Sequence, residues 1–274
     1  MITRFAPSPT GYLHLGHALA AKEAFGFAAG AGGTCLLRVE DIDRTRCRPE
    51  YTRAIYEDLD WLGFDWPLPA RVQSAHLAEY AGALESLKSR SLVYPCFLTR
   101  RELTDIQGDD AVYRGPETRP DTDDIAIRLR AGEKPAWRLS MRAAKDALGA
   151  KFDALSYREK GELIPARADD HGDVVLARKD VGTSYNLACT YDDALQGVTD
   201  VVRGRDLESL TGLHVLLQTL MGWPVPYYHH HDLLMKNAGE KLSKRGGDTS
   251  IRSMRETGMT PAQVLDMAIT GQIA

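Results

Sequence analysis

The sequence is poor in the features that mark secreted, membrane-embedded and strongly basic proteins. Cysteine is scarce: Cys35, Cys47, Cys96 and Cys189 lie far apart among 274 residues and form no Cys-x-x-Cys pair. This spacing offers neither a disulfide framework nor a zinc knuckle. There is also no apolar run of membrane-spanning length and no signal-peptide pattern at the start. We therefore expect a reduced cytoplasmic setting and no membrane partner.

An excess of positive charge is absent as well. The formal net charge is −4, which argues against indiscriminate binding to nucleic acid but leaves room for a local basic face. Apolar material, in contrast, is plentiful, because 43% of the side chains are hydrophobic. That is enough to bury the core of one large domain or of two modest ones.

The first seventeen residues have the pattern of a phosphate-binding site. Ile2–Phe5 predicts a short strand, a Pro-rich loop follows, and the sequence HLGH at residues 14–17 opens a helix. A helix start presents unpaired N–H groups and the positive end of its dipole to an anion. Gly16 would let a flat ring approach the backbone, and His14 and His17 would each donate a hydrogen bond to a phosphate. The alternative is a pair of surface histidines near a helix start.

A buried parallel strand is predicted at residues 34–39, a short apolar run bounded by glycine and charge. It ends in an acidic cluster that contains Glu40, Asp41 and Asp43. In open α/β sheets, ligands bind beyond the carboxyl ends of the strands, so Glu40 is well placed to hold an ammonium group. Asp41 and Asp43 could instead cap and orient the loop.

Arg203 is predicted at the same edge of the sheet, because the apolar strand at residues 198–202 ends immediately before it. There its guanidinium could hold a carboxylate through two hydrogen bonds. A solvated or purely structural arginine is the alternative.

Three adjacent histidines at positions 229–231 suggest a metal site. Neighbouring side chains of a strand point to opposite faces, so the three cannot easily reach one ion. We therefore expect no metal there.

The rest of the chain has an α/β outline. Pro49 begins a helix with an apolar face, and residues 75–107 are interpreted as further helix with one interruption. Residues 108–135 are polar, rich in Pro, Gly and Asp, and without a clear period, which predicts an irregular insertion. Strand-like runs follow at 136–141 and 173–177.

A second phosphate-binding pattern lies near the other end of the chain, in the sequence GEKLSKRGG at residues 239–247. Lys241 and Lys244 flank Ser243 inside a loop with glycines on both sides. A mobile lysine suits a triphosphate whose charge shifts towards pyrophosphate as the α-phosphate is attacked. A charge run is usually a solvated loop, but the pairing with HLGH makes that interpretation the weaker one.

Both patterns are similar to motifs of one protein family. HLGH resembles the HIGH motif of class I aminoacyl-tRNA synthetases. KLSKR at residues 241–245 resembles the KMSKS motif of the same enzymes. Residues 4–11, 38–43 and 197–207 resemble the glutamyl branch of that family. The resemblance extends from residue 1 to about residue 250.

This resemblance implies an α/β fold built on a Rossmann-type parallel-sheet nucleotide-binding domain. The catalytic domain would span residues 1–240, with an inserted subdomain at about 94–172. The KLSKR loop and a short helical segment would occupy 241–274. Only 29 residues follow Arg245 in the 274-residue chain, which are too few for the helical anticodon-binding domain of a full glutamyl-tRNA synthetase.

A compact chain of this kind resembles the glutamyl-Q tRNA(Asp) synthetases. That family activates L-glutamate with ATP to glutamyl-adenylate without tRNA, then attaches the glutamate to the queuosine base in the anticodon of tRNA(Asp). The resemblance implies a ligase-type, monomeric, cytoplasmic enzyme. Its expected partners are L-glutamate, ATP with Mg2+ on the triphosphate, and tRNA(Asp) carrying queuosine.

The resemblance also implies roles for single residues. The glutamate pocket would consist of Arg4, Ala6, Ser8, Glu40, Tyr185 and Arg203. The ATP site would consist of His14, Gly16, His17, Lys241, Ser243 and Lys244, with His14, His17 and Lys244 as the catalytic groups. The carboxylate of glutamate attacks the α-phosphate, so the protein supplies positioning and charge rather than a nucleophile. Arg4 and Arg203 are the basic partners available for carboxylates.

One departure from the family concerns zinc. The family often has a zinc site built from Cys-x-Cys and a downstream Tyr-x-x-x-Cys. Here the corresponding sequences are Cys96-Phe97-Leu98 and a segment from Tyr113 to Glu117, so two of the three thiolates are missing. Cys96 and Tyr113 alone cannot make a closed tetrahedral site, and we expect no zinc.

Three other functions are compatible with parts of the pattern. A truncated glutamyl-tRNA synthetase would charge a tRNA 3′ end. A small nucleotidyltransferase would share HLGH without needing Arg4, Glu40, Tyr185 and Arg203. A non-catalytic RNA-binding relative would be expected to have lost a catalytic residue, whereas both motifs are intact here.

Overall fold

The computed structural model describes residues 1–107, 112–116, 121–234 and 249–271. Ten strands are present in this part of the chain: β1 (Ile2–Phe5), β2 (Thr34–Val39), β3 (Arg71–Val72), β4 (Val93–Cys96), β5 (Ala136–Leu139), β6 (Ser156–Glu159), β7 (Glu162–Pro165), β8 (Val175–Ala177), β9 (Asp200–Gly204) and β10 (Tyr227–His231).

Helices connect these strands within the same ranges. They are α1 (Leu15–Gly30), α2 (Pro49–Trp61), α3 (Leu77–Ser89), α4 (Arg100–Gln107), α5 (Thr122–Arg130), α6 (Met141–Leu148), α7 (Ala150–Asp153), α8 (Tyr185–Leu195), α9 (Thr211–Met221), α10 (Ile251–Glu256) and α11 (Pro261–Thr270). No helix in the described ranges is both long enough and apolar enough to cross a membrane.

The main sheet is parallel and consists of two parts that meet at β1 and β9. Strand β1 pairs with β2 and β2 with β3, while β10 pairs with β9 and with β6; all four pairings are parallel. At the junction, Thr199 N–H donates to the carbonyl of Ile2 at 2.9 Å, and Arg4 Nη1 donates to the carbonyl of Val202 at 3.3 Å. Ile2 thus lies beside Thr199 and Arg4 beside Val202. Because the residue numbers rise together, β1 and β9 run in the same direction.

Two hydrogen-bonded sheets, β3-β2-β1 and β9-β10-β6-β7, thus lie side by side with β1 next to β9, and β7 is antiparallel at the far edge. Chain order reverses between β1 and β9, and such a reversal opens a crevice at the carboxyl ends of the strands. The predicted α/β class and Rossmann-type parallel sheet are confirmed.

Helix α1 lies against this junction because its buried face is small and apolar. Ala18, Ala21, Ala24 and Ala28 are almost fully buried, so the helix approaches the sheet closely. Phe25 adds a larger side chain to the same face, and burial of such a side chain contributes about 1.5–3 kcal/mol. The strand, loop and helix start predicted for the first residues are confirmed.

Helix α2 begins at the residue that the sequence predicts. Pro49 is its first residue, and Gly63 follows its end with a φ of +84°, a conformation that glycine adopts without strain. Ile55 and Leu59 are fully buried in the core that α2 shares with α1. The described residues 249–271 add α10 and α11, whose Ile251 and Val264 complete the same core.

A second, antiparallel sheet has the order β4-β5-β8 and lies in the middle of the chain. Its strands β5 and β8 confirm the strand-like runs predicted at 136–141 and 173–177. The interruption expected within residues 75–107 is β4, flanked by α3 and α4.

The prediction of an irregular stretch over residues 108–135 is wrong for its second half, which contains α5. The apolar residues of α5 alternate along the sequence, and none of its side chains is buried. The helix depends instead on a local cap, since Asp121 accepts a hydrogen bond from Asp123 N–H at 2.9 Å, and on acidic residues in its first turn. Hydrophobic periodicity therefore carries no signal here.

Candidate active site

A cavity of about 640 Å³ opens at the carboxyl ends of β1, β2 and β9. This is the size of a pocket for a small ligand. Nine candidate residues from the sequence line it: Arg4, Ala6, Ser8, His14, Gly16, His17, Glu40, Tyr185 and Arg203. The structure therefore brings together every candidate that it describes. The other three candidates, Lys241, Ser243 and Lys244, lie outside the described residues.

His14 and His17 cap the start of α1 reciprocally. The Nδ1 atom of His14 accepts a hydrogen bond from Gly16 N–H at 3.1 Å, and Nδ1 of His17 accepts one from His14 N–H at 3.2 Å. A ring nitrogen that accepts carries no proton, so each neutral imidazole has its proton on Nε2. The two ring centroids are 3.9 Å apart. The cap thus fixes both histidines as Nε2–H donors at a helix N-terminus.

Gly16 has a specific neighbour. A β-carbon at this position would lie 3.0 Å from Cε1 and 3.2 Å from Nδ1 of His14. The sequence suggested that glycine leaves room for a ligand ring. The structure shows that it also leaves room for the capping imidazole of His14.

Both described ends of the segment that carries KLSKR lie at this cavity. Leu233 and Leu234, which precede the segment, line the cavity wall. After the segment, Ile251 N–H donates to the carbonyl of Leu13 at 2.8 Å, and Ser250 forms a β-bridge with His14. The described chain therefore enters the segment at the cavity wall, and after the segment it pairs with the backbone at the start of HLGH.

Arg4 is buried and already bound to an acid of the protein. Its Nε donates to Oδ1 of Asp193 at 3.0 Å, and Nη1 of Arg38 donates to the same oxygen at 2.7 Å. Although burial opposes ionisation, these two guanidinium groups hold the pKa of Asp193 down to about 2. Arg4 is thus a fixed positive group of the cavity wall, and Asp193 compensates part of its charge.

Glu40 is buried at the end of β2 and receives a hydrogen bond from Arg38. The distance from Arg38 Nη2 to Glu40 Oε1 is 3.3 Å. Burial raises the pKa of this carboxyl group, and Arg38 and Arg4 oppose the rise. Glu40 therefore faces the cavity as the acid that the sequence predicted, with its charge shared with Arg38.

Arg203 differs from the other buried arginines. Its three nitrogens donate to Nε2 of His230 at 3.3 Å, to Nδ1 of His214 at 3.2 Å and to Oγ1 of Thr211 at 2.8 Å. Arg203 is 5% exposed, and no carboxylate of the described residues lies within ion-pair distance of it. A buried cation in a cavity without an anionic partner is a site for an anionic group of a ligand.

Tyr185 is the first residue of α8, whose N-cap is Ser184. Its ring centroid lies 5.8 Å from that of His214. Burial, followed by the nearby Cys189 and Glu40, holds the pKa of its phenol well above the usual value. The phenol is therefore a neutral hydrogen-bonding group of the cavity wall.

Sequence reasoning missed five residues behind the cavity wall, namely Arg38, Asp193, Thr211, His214 and His230. They became neighbours only through folding, since 155 positions separate Arg38 from Asp193. The sequence does contain one indication for Arg38, because a charged residue inside an apolar strand requires a buried partner. His214 left a similar signal inside the apolar helix α9.

The amino-acid sequence and the fold of this chain are similar to those of known proteins. Residues 1–270 match the family of tRNA synthetases class I (E and Q), catalytic domain. This chain belongs to that family. The resemblance to the class I synthetases is thereby confirmed, and the relatives below carry glutamyl names.

Individual members of the class I synthetases match over almost the whole chain. Glutamyl-Q tRNA(Asp) synthetase of Rhodobacter capsulatus is 44% identical over 274 residues, 96% of this chain and 98% of that protein. Glutamate–tRNA ligase 2 of Methylorubrum populi is 38% identical over 98% of this chain and 59% of that protein. The crystal structure of glutamate-tRNA synthetase from Elizabethkingia anophelis has a TM-score of 0.80 at 28% identity, and the match covers 98% of this chain and 61% of that one.

The positions at which the sequence analysis compared zinc ligands lie at a small pocket of about 210 Å³. Cys96, Phe97, Leu98 and Tyr113 all line it. Leu98, at the second ligand position, offers no donor atom, and tetrahedral zinc needs four ligands. The acids Glu102 and Asp124 also line this pocket, but in the described part of the chain they form no cluster with Cys96 close enough to hold an ion. This donor set does not fit zinc.

The three adjacent histidines have three different partners. His229 Nε2 pairs with Asp200 at 2.8 Å, His230 Nδ1 with Glu159 at 3.0 Å, and His231 Nδ1 with the carbonyl of Asp232 at 2.9 Å. The expected alternation along β10 explains why they point apart. Among the residues that the structure describes, His230 is grouped with Glu159 and Glu208 within 4.8 Å. Within this group, Glu159 accepts a hydrogen bond from His230, and Glu208 accepts one from Arg205.

Proposed function

We propose that this chain activates L-glutamate with ATP to glutamyl-adenylate in the absence of tRNA. The observation that carries the proposal is Arg203, a buried guanidinium that shares one cavity with HLGH and has no carboxylate partner in the described residues. The side-chain carboxylate of glutamate would supply that partner. Glu40 would accept the ammonium group, and Arg4, Ala6, Ser8 and Tyr185 would complete the amino-acid pocket.

ATP would occupy the part of the cavity next to α1. The Nε2–H groups of His14 and His17 and the helix N-terminus would stabilise negative charge on the phosphates. Gly16 would border the nucleotide, and Lys241, Ser243 and Lys244 would act on the triphosphate together with its Mg2+. Support for this arrangement comes from Ser250 and Ile251, which join the KLSKR segment to HLGH.

In the reaction, an α-carboxylate oxygen of glutamate attacks the α-phosphorus of ATP, and pyrophosphate leaves. The bound geometry replaces a bimolecular encounter, and the histidine and lysine donors stabilise the charge that shifts to the leaving group. No side chain of the protein forms a covalent bond with the substrate.

The second half of the proposal is transfer of the glutamyl group from the adenylate to the queuosine base of tRNA(Asp). The cyclopentene-diol of queuosine offers a hydroxyl oxygen that attacks the activated carbonyl and releases AMP. Anticodon bases can leave the stack and enter such a cavity. The 44% identical relative carries the name of this activity. We propose that the chain acts as a monomer.

Two measurements test the two halves. ATP–pyrophosphate exchange without RNA should depend on added L-glutamate, and the absence of exchange would refute the first half. Mass spectrometry of the digested tRNA(Asp) should find the glutamyl group on the anticodon fragment. A glutamyl group on the 3′-terminal fragment would instead favour a glutamyl-tRNA synthetase.

A further inference from the structure

The hydrogen bonds around Arg203 determine which of its donors face a ligand. A guanidinium has five N–H bonds, and three of them are used, one each on Nε, Nη1 and Nη2. One N–H remains on each of the two terminal nitrogens, with no partner among the described residues. One donor on each terminal nitrogen can bind one of the two oxygens of a single carboxylate.

All three acceptors of Arg203 are uncharged. His214 accepts on Nδ1, so its Nε2–H donates to Oδ1 of Asn186 at 3.0 Å. His230 accepts on Nε2, so its Nδ1–H donates to Oε1 of Glu159 at 3.0 Å. Each ring thus has one donor and one acceptor, which is the pattern of a neutral imidazole.

The surroundings keep the two rings neutral. Burial and then the charge of Arg203 lower the pKa of His214 well below its usual value. The same two causes, in the same order, lower the pKa of His230. At neutral pH these histidines therefore orient the guanidinium without compensating its charge.

Arg4 provides the contrast inside the same cavity. Its Nε is bound to the carboxylate of Asp193, so the protein itself already compensates part of its charge. The two arginines differ because their own protein partners differ.

Building on the proposed function, we infer that His214 and His230 are positioning residues for amino-acid specificity. They hold Arg203 with neutral acceptors and so reserve its charge for the side-chain carboxylate of glutamate. Glutamine, whose amide is uncharged, would leave the buried guanidinium uncompensated. A carboxylate at position 214 would compensate Arg203 from inside the protein and remove the preference.

The experiment uses three replacements of His214 in the full chain. His214→Gln keeps a neutral acceptor. His214→Glu has the shape of the glutamine variant but carries a negative charge. His214→Leu removes the acceptor and leaves an apolar side chain in an apolar helix. Exchange kinetics give kcat and KM for glutamate and for glutamine. Calorimetry gives the binding of both amino acids independently of turnover.

We expect His214→Gln to keep the glutamate preference within about 10-fold of the natural protein. His214→Glu should raise the KM for glutamate by about 10-fold to 100-fold, the effect of one lost hydrogen bond to a charged group, while kcat changes little. The preference of His214→Glu for binding glutamate over glutamine should fall by at least the same factor. His214→Leu should also raise the KM for glutamate. His214→Gln, which keeps a neutral acceptor, should have a KM close to that of the natural protein.

The outcomes separate this inference from the proposed function. If the natural protein activates glutamate but the Glu and Gln variants show equal selectivity, the role of His214 is refuted and the proposed function stands. Where His214→Glu does not fold, equal KM values for the Leu and Gln variants refute it just as well. A natural protein that binds neither amino acid refutes both.

Discussion

Gly16 lies so close to His14 that a β-carbon at position 16 would stand 3.0 Å from Cε1 of that imidazole. An alanine there would press on the ring that caps α1. Gly16→Ala should therefore slow glutamate-dependent ATP–pyrophosphate exchange by about 10-fold to 100-fold, because a displaced donor loses much of its effect on the transition state.

Gly26→Ala is the matched control for this prediction. Gly26 lies in the same helix, and nothing is found within 4 Å of its added β-carbon. This replacement should leave exchange unchanged and raise the free energy of unfolding by up to about 1 kcal/mol. Equal exchange rates for the two variants would contradict the account of Gly16.

Lys244 lies outside the described residues, and its role rests on the KLSKR motif and on the described ends of that segment. We expect Lys244→Ala to slow exchange by ~100-fold or more, the scale of losing one strong transition-state donor. Lys151→Ala, at an exposed position of α7, serves as the control. A nearly normal rate for Lys244→Ala would refute its assignment to the triphosphate.

Asp193 compensates two buried guanidinium groups, so its loss should affect folding first. Asp193→Asn should lower the free energy of unfolding by about 3–5 kcal/mol, because Arg4 and Arg38 would remain buried with less compensation. Urea unfolding measures this loss, with the exposed Asp146→Asn as control.

The pH dependence of this loss follows from the low pKa of Asp193, about 2. A carboxyl group whose pKa is depressed in the native state stabilises the fold above its unfolded pKa and loses that effect as the pH falls towards 2. Between pH 5 and 8 the loss in Asp193→Asn should therefore be constant. A loss that grows across this range would mean that Asp193 titrates there.

The elements around the site could be predicted because their signals are local. The strand Ile2–Phe5, the capped start of α1 and the apolar run of β2 each follow from a few adjacent residues. The fold of open parallel sheets then places the ends of β1, β2 and β9 at one crevice. Glu40 and Arg203 were predicted there for that reason.

The charge partners behind the crevice could not be predicted in the same way. Arg38 and Asp193 meet only in the folded chain, and no local pattern reports that Arg4 is compensated while Arg203 is not. Helix α5 was missed for the opposite reason, since it is held by a cap and carries no buried side chain. Hydrophobic period is informative only for elements that bury a face.

Asp58 gives a test of stability away from the site. It lies fully buried in α2, with neither carboxylate oxygen hydrogen-bonded among the described residues and with Arg255 Nη1 at 3.7 Å. Burial raises its pKa to about 6, although Arg255 opposes the rise. The native state thus favours the protonated form, and ionisation costs stability as the pH rises through 6.

Asp58→Asn removes this cost. The melting temperature of the variant relative to the natural protein should therefore be higher at pH 7.5 than at pH 5.0. Asp60→Asn, two residues away on the exposed side of the same helix, should show no such trend. If the melting temperatures of Asp58→Asn and the natural protein differ by the same amount at both pH values, the raised pKa of Asp58 is contradicted.

The proposed reaction can be tested by offering labelled glutamate and ATP to three RNAs: tRNA(Asp) with queuosine, tRNA(Asp) without it, and tRNA(Glu). We predict that label enters only the queuosine-containing tRNA(Asp), and that it stays there after removal of the 3′-terminal nucleotides. Label on tRNA(Glu), or on tRNA(Asp) that lacks queuosine, would contradict the proposed reaction.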